Sequence, residues 1–354
     1  MERRRLLILK NKKDIYILGV ESSCDDTSIS IVKNGRYVLS NVVSSQIDIH
    51  KLYGGVVPEI ASRNHVENIQ IVYNEAIKSS GITLDMIDSI SVTYGPGLIG
   101  SLLVGLSFAK GLSMSSGIPF IGINHIEGHI ASNYISNIDL EPPFIALIVS
   151  GGHTNLVKVS DYTSFKIYGR THDDACGEAY DKIARVLGFD YPGGPKLEKA
   201  ALSGKLNAYT FPRGEIKDLP YDFTYSGLKS HTINVIHNLK QKNDDILDDE
   251  TISSISLEFQ NSIIDSLVNR SINLSKELGI NKLAICGGVS ANDAIKNALK
   301  EECDKNNIRF YYPEKKYCTD NAAMIASAGY YEYLDKKFSR LDLNADANLE
   351  FTDK

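Results

Sequence analysis

The sharpest chemical signal in the chain is His125-Ile126-Glu127-Gly128-His129. Two histidines four apart on a helix project about 40° from one another, so both imidazoles reach one ion from the same face. The pair follows an apolar run, Ile118 to Ile123, stands beside a glycine and carries a carboxylate, which favours metal over a purely structural pair. In the metallopeptidase pattern H-E-x-x-H the glutamate lies about 60° from the second histidine and reaches a metal-bound water. Glu127 instead lies about 160° from His129 and points away, which disfavours peptide hydrolysis. Imidazole with carboxylate suits Fe, Zn or Mn, and a third ligand must come from elsewhere. Asp320, in Cys318-Thr319-Asp320-Asn321, is a candidate because an apolar helix starts at Ala322. A plain N-cap at Asp320 or Thr319, worth about 1 kcal/mol, explains the same residues, and spacing does not choose between the two. Cys318 can also ligate, though nothing marks it.

The second signal is a set of small-polar turns that follow apolar strands. Phe144 to Val149 leads into Ser150-Gly151-Gly152-His153-Thr154-Asn155, and Lys282 to Cys286 leads into Gly287-Gly288-Val289-Ser290-Ala291-Asn292. Ile15 to Val20 leads into Glu21-Ser22-Ser23-Cys24-Asp25-Asp26-Thr27-Ser28. The tips of such turns offer backbone N–H groups and hydroxyls to a phosphate or nucleotide. The turn at Gly287 opens a helix, where unpaired N–H groups favour an anion or a polar ligand edge. Neither G-x-x-x-x-G-K-[ST] nor G-x-G-x-x-G follows the first strand, so the P-loop and Rossmann readings lose. Asp181, on a helix before Tyr191-Pro192-Gly193-Gly194, is either a ligand or a solvated helix charge. Asp25 and Asp26 are either turn formers or acid/base groups, and the pattern does not separate these.

The elements that must position these residues are legible from periodicity. The turns after Ile15 to Val20 and after Phe144 to Val149 join strand to strand, as hairpins, with Ile29 to Val32 and Leu156 to Val159 as the return strands. Helical spacing runs over His65 to Ser80 with Gly81 as the stop, over Leu102 to Ser115, over Gly177 to Leu187 and over Ile252 to Leu278. Asn238 to Glu250 holds seven charged residues and reads as a linker. Ser89 to Ala109 carries no charge over about a membrane span's length. Gly95-Pro96-Gly97 breaks it into buried strand, turn and buried helix, so no membrane is implied. Strands alternating with helices, twice over, predict an α/β fold of two related halves, with two hairpins of one design and a ligand between them.

Composition bounds the rest. The 354 residues suggest two domains, and a net charge of −6 argues against non-specific coating of nucleic acid while leaving room for a local basic patch. The five cysteines form no C-x-x-C pair, which points to a reducing compartment and hence the cytoplasm. Met1 to Lys13 is basic, with too short an apolar run (Leu6 to Leu9) for a secretory signal.

Taken in order, Gly19 to Ser28, Tyr53 to Arg63, Gly95 to Gly97, His125 to His129, Val149 to Thr154, Tyr191 to Gly194, Phe223 to Lys229, Gly287 to Asn292 and Cys318 to Asn321 closely resemble the TsaD family, the tRNA N6-adenosine threonylcarbamoyltransferases, once labelled glycoproteases. The resemblance runs from about Ile15 to Gly329. It implies an actin-like ATPase (ASKHA) fold of two duplicated domains around a nucleotide cleft. The expected division is a basic extension over 1–13, domain I over 14–132 plus 322–350, and domain II over 133–321. It also implies transfer of a threonylcarbamoyl group from threonylcarbamoyl-AMP to N6 of adenosine 37 in tRNAs reading codons that begin with A, with release of AMP. His125, His129 and Asp320 match the family's metal ligands, implying one divalent ion, Fe2+ ahead of Zn2+. Ile148, Val149, Ser150, Gly151, Gly152, Asp181, Gly194 and Asn292 match its positions for the donor or an ATP/ADP-type nucleotide, and Glu198 falls at a more variable contact. Asp25 or Asp26 is the expected acceptor of the amine proton. Implied partners are tRNA, a TsaB-type paralogue and a TsaE-type ATPase, with a TsaC-type enzyme supplying the adenylate and no membrane involved. The basic N-terminal extension departs from the family's usual start.

Three other readings compete. Carbamoyltransferases that decorate antibiotics or build hydrogenase cofactors share the fold and the metal triad, but the ordered motifs and the absence of extra domains favour tRNA. A metallopeptidase is disfavoured by Glu127. A non-enzymatic nucleotide-binding scaffold is expected to lose the histidine pair or the glycine turns, and this chain keeps both.

Overall fold

A computed structural model describes residues 14–242 and 247–354; the basic extension Met1 to Lys13 lies outside them. Two mixed sheets carry the architecture. The first contains β1 (Tyr16–Glu21), β2 (Asp26–Lys33), β3 (Tyr37–Ser45), β4 (Ser89–Gly95) and β5 (Phe120–Asn124) in the order β3-β2-β1-β4-β5. The second contains β6 (Phe144–Val149), β7 (Thr154–Asp161), β8 (Ser164–Arg170), β9 (Lys282–Cys286) and β10 (Arg309–Tyr311) in the order β10-β9-β6-β7-β8. In each, the first three strands form an antiparallel meander and the last two run parallel to the first. Setting β6 against β1 makes the two successions identical, which is the duplication that the paired hairpins predict. The fold class is therefore α/β, built of two topologically equivalent halves.

The chain divides into two compact units. One holds the described residues up to Ile47, with Val57–Ile138 and Asp320–Phe351; the other holds Asp48–Val56, the described residues of Asp139–Thr319, and Thr352–Lys354. Central strands read as continuous apolar runs because both their faces are covered. Ile17, Leu18 and Val20 of β1 and every residue of β6 are buried.

Helices begin and end where local chemistry dictates. The helix Pro58–Ser80 starts on a proline, whose missing N–H costs nothing in the first turn, and stops at Gly81 in the left-handed region (φ 72°). It starts well before the predicted His65, because Pro58 and Glu59 are exposed and Ala61 is the one buried residue of the first turn, too short a signal to read as apolar periodicity. The buried helix after Gly95-Pro96-Gly97 spans Ile99–Ser116. No helix among the described residues is long and apolar enough to cross a membrane. The Asn238 to Glu250 stretch is only in part a linker: the helix Ser226–Lys242 reaches into it, and the next begins at Asp249.

The helix Ala322–Leu334, the last in chain order among the described residues, joins the first unit although it follows the second in sequence. It lies directly on the sheet, because a Cβ on Gly19 of β1 would stand 2.2 Å from Ala322 O and one on Gly329 would stand 1.7 Å from Ser91 Oγ of β4. This contact places the segment preceding the helix, with Asp320, beside the helix His125–Ser136, which follows β5.

Candidate metal centre and donor turn

Asn124 ends β5 and caps the next helix, its Oδ1 accepting from Ile126 N at 2.9 Å. His125 is thus the first helical residue and His129 lies one turn on, their ring centroids 4.6 Å apart. Gly128 lets the Ala322–Leu334 helix approach, since a Cβ there would meet Ile325 Cδ1 at 2.5 Å. Asp320 Oδ1 then lies 3.4 Å from His125 Nε2 and 3.4 Å from His129 Nε2. That separation suits two donors at about 2.1 Å from one ion. The ambiguity at Asp320 resolves: the N-cap of the final helix is Asn321, whose Oδ1 accepts from Met324 N at 3.1 Å, and Asp320 faces the imidazoles. Glu127 and Cys318 are not members of this cluster of ligand atoms.

A fourth buried group, not anticipated from sequence, completes the surroundings. Glu21, at the end of β1, is fully buried. Its carboxylate accepts from Thr93 Oγ1 at 2.6 Å and Ser23 N at 2.5 Å, and lies 3.2 Å from His125 Nδ1. A carboxylate acceptor on Nδ1 leaves the Nε2 lone pair for an ion, the usual arrangement behind a metal-bound histidine. The signal that could have found Glu21 is a lone charge terminating an otherwise apolar strand.

Electrostatics fit cation capture. Burial alone would raise the Asp320 carboxyl, but the two imidazoles hold it well below the usual carboxylate range. Burial pulls His125 down, and the Asp320 and Glu21 carboxylates more than reverse this. Burial lowers His129, whose Nδ1 has no hydrogen-bond partner. The Asp320 and Glu21 carboxylates thus favour positive charge at His125, whether a proton or a cation. The residues fit a metal.

The first hairpin tip adjoins this centre. Ser23 Oγ lies 3.2 Å from His125 Nδ1. Asp25 Oδ2 and Asp26 Oδ1 are both buried without a hydrogen-bond partner. Burial, opposed by Ser45 and helped by the charges of Asp320, Asp25 and Glu21, pushes the Asp26 carboxyl up to about 7.

In the second unit the turn after β6 is held by Ser150 N donating to His153 O (2.9 Å), His153 N to Ser150 Oγ (3.1 Å) and Gly177 N to Ser150 O (3.1 Å). The exposed N–H groups of Gly151 and Gly152 make no hydrogen bond within the described residues and are available to an anionic ligand. Ile148 and Val149 are fully buried strand residues, so their side chains build the base of the turn. Asp181, on the helix Cys176–Val186, accepts from Gly193 N at 2.8 Å and Gly194 N at 3.2 Å through one oxygen and so holds the Tyr191–Gly194 loop. Asn292 caps the helix Asp293–Lys305 by accepting from Ile295 N at 2.9 Å, and its Nδ2 donates to Gln260 Oε1 at 3.3 Å. Glu198 Oε1 accepts from Asp293 N at 2.6 Å and Ala294 N at 3.3 Å. The anion that this helix end favours is thus supplied by the chain itself.

A family model described as "TsaD: tRNA N6-adenosine threonylcarbamoyltransferase" matches residues 37–327. The chain is 51% identical over 331 residues to the tRNA N6-adenosine threonylcarbamoyltransferase of Caldicellulosiruptor saccharolyticus, covering 94% of this chain and 97% of that protein. It is 50% identical over 343 residues to that of Clostridium kluyveri, covering 97% and 99%. Among solved structures it is similar to HypF of T. kodakarensis, with TM-score 0.63 at 13% identity over 91% of this chain and 48% of that one. It is also similar to Acidaminococcus fermentans (R)-2-hydroxyglutaryl-CoA dehydratase component A, with TM-score 0.52 at 15% identity over 90% and 99%. At such identities these two show a shared fold, the actin-like ATPase fold.

Proposed function

The chain belongs to the TsaD family of tRNA N6-adenosine threonylcarbamoyltransferases, and from that premise we propose the reaction as transfer of the threonylcarbamoyl group of threonylcarbamoyl-AMP to N6 of adenosine 37, in tRNAs reading codons that begin with A. The N6 lone pair adds to the carbamoyl carbon, the bond to the phosphate oxygen breaks, AMP leaves with that electron pair, and N6 gives up a proton. The amine is a weak nucleophile because its lone pair is delocalised into the ring, whereas the mixed anhydride is activated. The enzyme's task is positioning and charge stabilisation.

Each group of residues has a part in this reading. The Gly151 and Gly152 N–H groups donate to the donor's phosphate or carbamoyl oxygens. Asp181, through its second oxygen, and the Asn292 turn hold ribose and adenine, while Gly194 and Glu198 keep the surrounding loops in place. His125, His129 and Asp320 hold the ion, Fe2+ or alternatively Zn2+, which when bound supplies a Lewis acid. Asp26 accepts the amine proton, with Asp25 as the alternative. A carboxyl pushed up to about 7 by burial, with an unpartnered oxygen, suits a base at neutral pH.

Adenosine 37 lies in the anticodon loop and can be splayed into a pocket without opening a duplex. The net charge of −6 makes this chain a weak sole binder of RNA. Arg213 is also paired with Asp265 at 2.7 Å, Lys196 with Asp190 at 3.1 Å and Lys229 with Asp174. Partners therefore complete the surface: a TsaB-type paralogue and a TsaE-type ATPase, in the cytoplasm, with the donor supplied by a TsaC-type enzyme. The Pro58–Ser80 helix, which exposes Val66 and Ile71, fits a docking face for the paralogue.

The observation that carries this reading is the convergence of His125, His129 and Asp320 in a chain of this family. Nucleoside mass spectrometry of tRNA incubated with the protein, threonylcarbamoyl-AMP and the partner proteins tests it, beside a His125→Ala, His129→Ala double variant. Threonylcarbamoyl-adenosine from the wild type only is the expected result. No product from the wild type, with another family member active in the same mixture, overturns it.

A further inference from the structure

A polar residue interrupts the buried stripe of the Pro58–Ser80 helix. Ala61, Ile69, Val72 and Ala76 line that stripe, and His65, in register with them, is fully buried. Burying an imidazole is costly unless its nitrogens find partners. Both partners are in the first hairpin: Nδ1 lies 2.7 Å from Thr27 Oγ1, and Nε2 lies 3.0 Å from Cys24 O. A carbonyl oxygen only accepts, so Nε2 carries the proton. Nδ1 then offers its lone pair to the Thr27 hydroxyl, and these contacts are satisfied by a single neutral tautomer.

The tip needs such a clamp. It sets Asp25 and Asp26 side by side, each with a buried oxygen that has no hydrogen-bond partner, so the charges within it favour its opening. Its backbone carbonyls are held one after another: Ser23 O accepts from Leu98 N at 2.8 Å, Cys24 O from His65, and Asp25 O from Gln46 N at 3.2 Å. Gln46 in turn donates through Nε2 to Ala61 O, one turn before His65, at 3.3 Å. Among the described residues, His65 alone grips the tip with a side chain from the buried face of a long helix.

We propose that His65 is a positioning residue for the transfer: its imidazole holds the Cys24 carbonyl and the Thr27 hydroxyl and so sets where Ser23, Asp25 and Asp26 stand beside His125. The inference rests on the transfer reading above. Glutamine places an amide N–H as far out as Nε2 and can keep the Cys24 bond, whereas asparagine reaches only as far as Nδ1.

The test compares wild type, His65→Ala, His65→Gln and His65→Asn in the complete transfer mixture, with kcat and KM, metal content and melting temperature measured for each. In His65→Ala, kcat is expected to fall about 10- to 100-fold, the loss typical of a reacting group displaced by about 1 Å, with KM for tRNA and donor nearly unchanged. His65→Gln restores most of the rate and His65→Asn does not. If the histidine only filled space, all three variants would melt earlier yet keep wild-type kcat per folded, metal-loaded chain; that outcome overturns the inference. The ring nitrogen spectrum of wild-type His65 gives a readout that needs no turnover: protonation at Nε2 is expected, and protonation at Nδ1 alone overturns the clamp. A wild type that transfers nothing, where another family member does, overturns the transfer reading instead.

Discussion

Replacing Glu21 by glutamine should weaken metal binding in a manner that depends on pH. The carboxylate is fully buried and takes three contacts, from Thr93 Oγ1, Ser23 N and His125 Nδ1. Glutamine keeps the shape but offers one acceptor oxygen and no charge, so His125 loses the partner that fixes its ring and its proton. Loss of such an outer partner lowers metal affinity about 10- to 100-fold, or about 1.4–2.8 kcal/mol. A second effect runs the other way. Burial lowers the His125 pKa, but Asp320 and Glu21 together raise it above its ordinary value, and that proton must leave when an ion binds. Removing one of the two carboxylates lowers the His125 pKa and eases this competition. At pH 8.5 the orientation loss should appear almost in full; at pH 6 the gap between wild type and Glu21→Gln should narrow. Zn2+ titration against a competing chelator at both pH values measures it. Equal affinities at pH 8.5, or a gap that widens on acidification, would refute the reasoning.

The other predictions follow from the same geometry. Asp320→Asn removes the anionic ligand, so the protein should no longer retain a metal ion through gel filtration, as read by elemental analysis, while its circular dichroism stays native. Burial raises the Asp26 pKa from the ordinary 3.8 to about 7, so the folded state holds a proton that the unfolded state has lost between those values. Stability should therefore fall as pH climbs through that window. Asp26→Asn should flatten the fall and leave the variant the more stable above pH 7, as followed by urea midpoints. Gly329→Ala puts a Cβ 1.7 Å from Ser91 Oγ inside a sheet contact, and should cost at least about 3 kcal/mol. Gly128→Ala meets only the flexible end of Ile325, at 2.5 Å, and should cost about 1 kcal/mol; denaturation curves that reverse this order would contradict the packing argument.

Local patterns were the legible part of this protein. The histidine pair, the two hairpins, the Gly287 turn and four of the helices follow from spacings within a dozen or so residues, and the structure places all of them. Elements without a clean period were not seen. β3 mixes exposed and buried positions without alternation, and β8 is similar; β10 has only three residues. Glu21 and His65 escaped for another reason. Each is one polar residue in an apolar stripe, and a stripe is recognised by ignoring its exceptions. The partners that explain them are distant in sequence: His125 lies 104 residues from Glu21, and Thr27 lies 38 from His65. Asp320 stayed ambiguous because the residues that settle it are His129 on one side and Asn321 on the other, and only the first is remote.

The duplication sharpens what a sequence can say about function. β1 with β2 and β6 with β7 are the same hairpin at the same place in the same succession of strands, so the backbone supplies two equivalent tips. Their side chains then diverge. Ser150-Gly151-Gly152 strips the second tip down to exposed N–H groups, which suit an anion. Ser23-Cys24-Asp25-Asp26 loads the first with carboxylates, which repel an anion and suit a proton or a cation. Fold-level likeness therefore sets both tips at equivalent places and gives neither a role. The tips differ in the glycines of one and the paired aspartates of the other, and in His65, the clamp we infer for the tip crowded with negative charge.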